Sequence, residues 1–175
     1  MKRNERLNEA WPIVSVWRHE ILLPNPPILI ADFVQVAAVA GVALNQHEIT
    51  HEVMLASHHQ PVLRRGSQAV YVFSLSSDPT TVLKVGKVGP NSNARFQSQH
   101  YNPDSAGSNL ARSLVERRDT WQLLDIEDLA RESVGEWIRT HTDRDHFFIS
   151  SDREMVLLAL LEVFLQCRLR PLFEG

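Results

Sequence analysis

Two runs rich in β-branched and aromatic residues, Ala69–Leu75 (AVYVFSL) and Thr81–Val85, flank the segment Ser76–Thr80 (SSDPT). No other feature constrains the fold as tightly. Such residues suit a pleated, half-buried surface, and Asp-Pro between them marks a bend, so the pattern predicts an antiparallel β-hairpin. A chain with a hairpin at its centre must supply further elements to cover at least one face of it.

The segments downstream read mainly as helices. Asn91–Tyr101 follows Pro90, Asn109–Val115 is a second candidate and Glu127–Arg139 a third. His146–Ile149 reads as a short strand, preceded by Thr142, Asp143, Arg144 and Asp145, which form a charged turn or approach a site. Ser151–Arg168 is a strongly apolar helix, capped by Ser151 or Asp152 and stopped by Pro171. Residues 67–175 are thus expected to form a small α+β domain, with a three-stranded antiparallel sheet flanked by helices.

Residues 1–66 differ in character. Met1–Glu20 mixes charges with Trp11, Val14, Val16 and Trp17, and LLPNPP (Leu22–Pro27) reads as a break. Asp32 is placed to cap a helix through Val42, and Asn45 with Glu48 resembles a capping box for a helix through Ala56. Gln60–Gly66 reads as a basic loop. A mainly helical amino-terminal extension is expected, and Trp11, Trp17, Trp121 and Trp137 are read as core residues.

At 175 residues with 43% hydrophobic content, the chain is long enough for one domain with a core of its own. No secretory pattern follows the charged amino terminus, and the longest apolar stretch, Phe33–Leu44, is well short of the ~20 residues that span a bilayer. A cytoplasmic protein with no membrane partner is the expectation. The lone Cys167 forms no internal disulfide, and its helix suggests core packing. The net charge of −3 hides an asymmetry. Between Val53 and Pro103, five basic residues (Arg64, Arg65, Lys84, Lys87 and Arg95) face one acid, Asp78, whereas Asp104–Gly175 holds 14 acids against nine basic residues. A local positive field therefore lies on the hairpin and the helix after it.

Three fragments carry candidate chemistry. They are AVYVF (Ala69–Phe73), LKVGKVGPNSNARFQSQHY (Leu83–Tyr101) and LLALLEVFLQCRLRPLF (Leu157–Phe173). In the last, Glu162 stands among leucines on a helix apolar nearly all round, where an ionised carboxylate is costly unless paired or metal-bound. A buried ion pair with Arg168 or Arg95 is the alternative reason for it. Together the fragments resemble a divergent GIY-YIG nuclease, over Gln68–Tyr101 and Leu157–Phe173. The resemblance implies a Mg²⁺- or Mn²⁺-dependent endonuclease acting on DNA. It makes Tyr71 the residue that activates the attacking water, Arg95 the grip on the scissile phosphate and Glu162 the metal ligand. Gly86, Lys87 and Tyr101 become substrate-binding residues. Lys84 stands where the motif has its second tyrosine, and a lysine beside a phenol of pKa about 10 would lower that pKa. His100 matches the family's helix histidine with a slight displacement. Ala69 replaces the first glycine, and Glu174 stands where asparagine is usual.

One rival motif is His47-Glu48-Ile49-Thr50-His51, a literal HExxH. On a helix it would present two histidines to Zn²⁺, with His58 on the same face. Ile49, Val53 and Ala56 make the opposite face apolar, so the histidines are expected to face solvent. Two alternatives to an endonuclease accordingly stand: a nucleic-acid-binding or regulatory module of the same fold without chemistry, and a zinc protein using HEITH. Cutting both strands with one site per chain would suggest a dimer.

Overall fold

The computed structural model describes residues 25–90, 92–107 and 109–173. The readings of Met1–Glu20, including Trp11 and Trp17, and of Glu174 lie outside the described residues. Among the described residues no helix is long and apolar enough to cross a membrane.

The architecture is α+β, built on a four-stranded antiparallel sheet. The strands are β1 (Thr50–Met54), β2 (Ser67–Leu75), β3 (Val82–Val88) and β4 (Thr142–Ser150), in the order β1-β4-β2-β3. The hairpin is β2–β3, as its residues dictate. Its turn is tied by Asp78, whose carboxylate accepts the Thr80 and Thr81 hydroxyls at 2.6 Å each. Those hydroxyls hold the exposed Asp78 carboxyl below its ordinary pKa.

The sheet has four strands rather than the expected three, and the fourth comes from a segment read as helical. Asn45 and Glu48 do form a reciprocal cap, with the Asn45 N–H donating to the Glu48 carboxylate at 2.8 Å. It closes only a short 3-10 turn, Gln46–Glu48. The β-branched residues that follow then pair with β4 instead of continuing the helix. β4 itself runs over nine residues, not the four of His146–Ile149. Thr142–Asp145 is strand, not turn.

The other departures are local. Within LLPNPP, Pro26 and Pro27 open α1 (Pro26–Val39), where a missing N–H costs nothing. Asp32 is consequently inside α1 and pairs with Arg168 at 2.9 Å. The helix after Pro90 splits into α2 (Asn93–Gln97) and a 3-10 turn, Gln99–Tyr101. Asn109 caps α3 (Leu110–Glu116) by accepting the Arg112 N–H at 2.7 Å. Glu127–Arg139 is helical only in α4 (Val134–His141). The apolar carboxyl-terminal helix is α5 (Met155–Leu169), with Glu154 rather than Ser151 or Asp152 at its N-cap. Cys167 is exposed, because the buried stripe of α5 runs through Leu158, Leu161, Leu165 and Leu169. Trp121 is buried as expected, its indole N–H donating to the Leu114 carbonyl at 2.7 Å, and Trp137 packs half-buried against that core.

Alternation along the strands separates two cores. Val70, Val72, Val85, Phe147 and Ile149 face α1 and α5. Ala69, Tyr71, Phe73, Val88 and Phe148 face the layer of α2, α3 and α4. That second face carries the candidate site.

Candidate functional site

Tyr71 stands on β2 directly opposite Gly86 on β3. The phenol lies across the space that a side chain at 86 would fill: a Cβ there would sit 2.4 Å from Tyr71 Oη and 2.7 Å from Cζ. Glycine at 86 is therefore a requirement of the tyrosine's position. The phenol is fully buried.

His100 fixes the phenol's orientation. The 3-10 turn brings its Nε2 to 2.5 Å from Tyr71 Oη, while its Nδ1 accepts the Leu110 N–H at 3.2 Å. An imidazole that accepts at Nδ1 carries its proton at Nε2, so His100 donates to the phenol oxygen. Burial holds the imidazole pKa well below its ordinary value, and the cations Arg144, Lys84 and Arg95 push it the same way. His100 is neutral, with one tautomer.

Burial likewise raises the Tyr71 pKa; Arg95 and then Arg144 oppose it, and Glu162 adds to it. Arg95, on α2, is exposed to solvent while its charge favours the phenolate. Lys84 shares the Tyr71 face, opposite Phe73. Its ammonium is buried and donates to the Phe173 carbonyl at 2.9 Å, which ties β3 to the chain's last described residue. The sequence assigns Lys84 to lowering the phenol pKa, but the cations that pull on Tyr71 most are the two arginines. Lys84 acts on His100.

Lys87 and Glu162 lie on the sheet's other side. Lys87 pairs with Val70 in register, so it points toward α5, where its ammonium meets the Glu162 carboxylate. This is the ion pair that the leucine-rich helix demands, made with Lys87 rather than Arg168 or Arg95. The Glu162 side chain is 13% exposed. Tyr101 is buried: its hydroxyl accepts from Arg144 Nη1 at 3.1 Å, and Arg139 lies over its ring at 4.7 Å. Its place is in the core beside the site. Five sequence-predicted residues thus converge on one region, Tyr71, Lys84, Gly86, Arg95 and His100, while Glu162 lies across the sheet and reaches it only through its charge. Lys87 reaches it through Glu162, and Tyr101 through Arg144.

Sequence reasoning missed the floor of this site. Arg144 and His146 project from β4 onto the Tyr71 face, and Tyr71 pairs with His146 in register. Arg144 is the largest fully buried side chain, with its guanidinium carbon 5.1, 4.8 and 4.6 Å from the ring centres of Tyr71, Phe73 and Phe96. His146, among Phe96 and Phe148, has its pKa pushed down to about 2 by burial and the Arg144 charge. The available signal was the period-two alternation of β4, in which Thr142, Arg144, His146 and Phe148 are buried while Asp143 and Asp145 stay partly exposed.

HEITH does not form a metal-binding face. His47 is exposed on the 3-10 turn, Glu48 is held by Asn45 and Arg153, and His51 on β1 bonds Asp145 at 2.6 Å. His58 is buried against Tyr101 and Thr142, not turned to solvent. Among the described residues no cluster of three or more His, Cys, Asp or Glu is placed to hold a metal ion. The metal ligand expected from the sequence is a single carboxylate, that of Glu162. Lys87 competes for that carboxylate. Compared with known proteins, the chain matches no family model, no curated protein and no solved structure.

Proposed function

We propose that the chain is a Mg²⁺- or Mn²⁺-dependent endonuclease that hydrolyses phosphodiester bonds in DNA, with its nuclease site in residues 67–175 and with α1 and β1, from 1–66, packed on and paired into the same sheet. The observation that carries this reading is the set of contacts at Tyr71: a glycine cleared for its ring, a neutral histidine donating to its oxygen, and an exposed arginine whose charge favours its ionised form. The local excess of basic residues in Val53–Pro103 suits a polyanionic substrate.

In this reading the Tyr71 phenolate takes a proton from water as the water oxygen bonds to phosphorus. The ester P–O bond breaks with its electron pair on the leaving oxygen, which takes a proton from solvent, and Tyr71 returns the one it gained to solvent. His100 Nε2–H and Arg95 favour the negative phenol oxygen before the transfer. Arg95, open to solvent, grips the phosphate with its planar fork. Glu162 would hold a divalent cation, which when bound would supply charge neutralisation at the phosphate.

Supercoiled plasmid incubated with Mg²⁺ or Mn²⁺ tests this directly. The wild-type chain is expected to nick or linearise it, and Glu162→Ala to slow the reaction by roughly 100-fold or more, the range found when an electrostatic group is removed. Equal behaviour of the two proteins overturns the reading. One observation favours a second reading, a nucleic-acid-binding module without chemistry: the phenol is fully buried and Lys87 already engages Glu162. A gel shift with no cleavage under either metal selects it.

A further inference from the structure

Arg144 is an expensive residue to keep. Its guanidinium is completely buried, its Nε and Nη2 atoms have no hydrogen-bond partner, and among the described residues no carboxylate pairs with it. The two acids beside it in β4 are turned to the other face and engaged: Asp143 accepts the Ala56 N–H, and Asp145 pairs with His51. One neutral oxygen, that of Tyr101, accepts from Nη1. The remaining neighbours are the ring faces of Tyr71, Phe73 and Phe96. A buried cation without a counter-charge costs stability, and replacement by an apolar side chain of similar volume commonly does not. The position therefore calls for an anion that comes and goes.

We propose that Arg144 is a positioning residue, a resident counter-ion built under Tyr71 to stabilise its phenolate. A cation over a phenol ring gains when the ring becomes negative, because the π face then carries charge as well as a quadrupole. The groups that face Tyr71 are His100 from the 3-10 turn, Arg95 from α2, Lys84 from β3, and Arg144 and His146 from β4; Glu162 of α5 acts on it from a distance. Of the cations, Arg95 is at the surface, hydrogen-bonded to the phenol and open to solvent, while Arg144 is wholly buried. Its charge stays with the phenol throughout a cycle. The inference rests on the assignment of Tyr71 as a base, and it predicts a property of Tyr71 that holds without substrate.

The chain has two tyrosines, so each is observable separately. The test is ¹⁹F NMR titration of the full chain labelled with 3-fluorotyrosine, whose more acidic phenol brings the transition nearer neutrality, with resonances assigned by Tyr101→Phe. In the wild type burial is expected to hold the Tyr71 midpoint above that of free 3-fluorotyrosine. Arg144→Met is expected to raise the Tyr71 midpoint by roughly one to three pH units, the scale of one adjacent cation. Arg144→Lys, which keeps the charge and guards against a misfolded methionine variant, is expected to recover part of that shift. An unchanged Tyr71 midpoint in folded Arg144→Met, or Tyr101 as the residue that moves, overturns the proposal. A shifted midpoint in a protein that never cuts DNA leaves this inference standing and removes the nuclease reading. Cleavage with an unmoved midpoint does the reverse.

Discussion

Replacing Gly86 by alanine is expected to abolish cleavage and to destabilise the protein by about 1–3 kcal/mol, the usual cost of overpacking. The added Cβ has nowhere to go. It would lie 2.4 Å from Tyr71 Oη, 2.7 Å from Cζ and 2.9 Å from Cε2, all well inside van der Waals contact. The ring cannot retreat easily, since Phe73, Phe96 and His100 surround it and Arg144 lies beneath. A phenol displaced by even ~1 Å loses its His100 bond and its aim, and misplacement on that scale costs about 100-fold in rate. Tyr71→Phe in the Gly86→Ala background removes the nearest atom, so it is expected to return part of the stability and none of the activity. Urea denaturation and plasmid cleavage on the three variants check both halves. Wild-type stability in Gly86→Ala would show that the phenol does not occupy this space.

Mild acid is expected to unfold the protein through its histidines. His58, His100 and His146 are buried on the Tyr71 face, and each has a pKa lowered chiefly by burial and next by the Arg144 charge. In the unfolded chain they titrate near 6.5. Their neutral state therefore contributes stability that is fully present above about pH 6.5. It is lost as pH falls toward the folded-state values, about 2 for His146. Each such group contributes a slope of about 1.4 kcal/mol per pH unit in that window. His146 alone predicts a loss of about 1 kcal/mol between pH 6 and pH 5, and His100 and His58 act in the same direction. His146 offers a control. Its Nε2 is unpartnered and its ring packs on Phe96 and Phe148, so His146→Phe is expected to keep the fold and remove about one proton's worth of slope. Urea midpoints at pH 7.5, 6 and 5 for both proteins measure this. Equal stability at pH 7.5 and pH 5 would contradict the burial described for these residues.

How much could be read beforehand depended on how local each determinant was. The hairpin was legible because its strands and its turn are adjacent and Asp78 closes the bend with its own neighbours. The helices α3 and α5 were legible for the same reason. β1 and β4 were not. Their pairing joins residues 90 to 98 positions apart, and it overrides the capping pattern at Asn45–Glu48. In β4, Asp143, Arg144 and Asp145 look like a turn when charge is read along the chain. Read across the strand, alternate residues go to opposite faces.

The site divides along the same line. Tyr71, Lys84, Gly86 and Arg95 sit on the hairpin and the helix after it, where spacing suffices. His100 seemed displaced only against a continuous helix; the break after Gln97 and the following 3-10 turn rotate it onto the phenol. The leucines around Glu162 announced that its carboxylate needed a partner, but Lys87 became that partner through the register of β3 against β2. Nothing near Arg144 in sequence announces a buried guanidinium. Its burial is set by β4 lying at the centre of the sheet under three aromatic rings.

The central claim is that Tyr71 activates water for phosphodiester cleavage. Single-turnover cleavage of a labelled DNA duplex by excess protein with Mg²⁺, comparing wild type with Tyr71→Phe, measures it most directly. Phenylalanine keeps the ring against Phe73 and Phe96 and deletes only the hydroxyl. The account predicts metal-dependent cutting by the wild type and a rate lower by about 100-fold or more in the variant, the contribution of a general base. A variant that cuts at the wild-type rate, or a wild type that cuts no duplex at all, would contradict it.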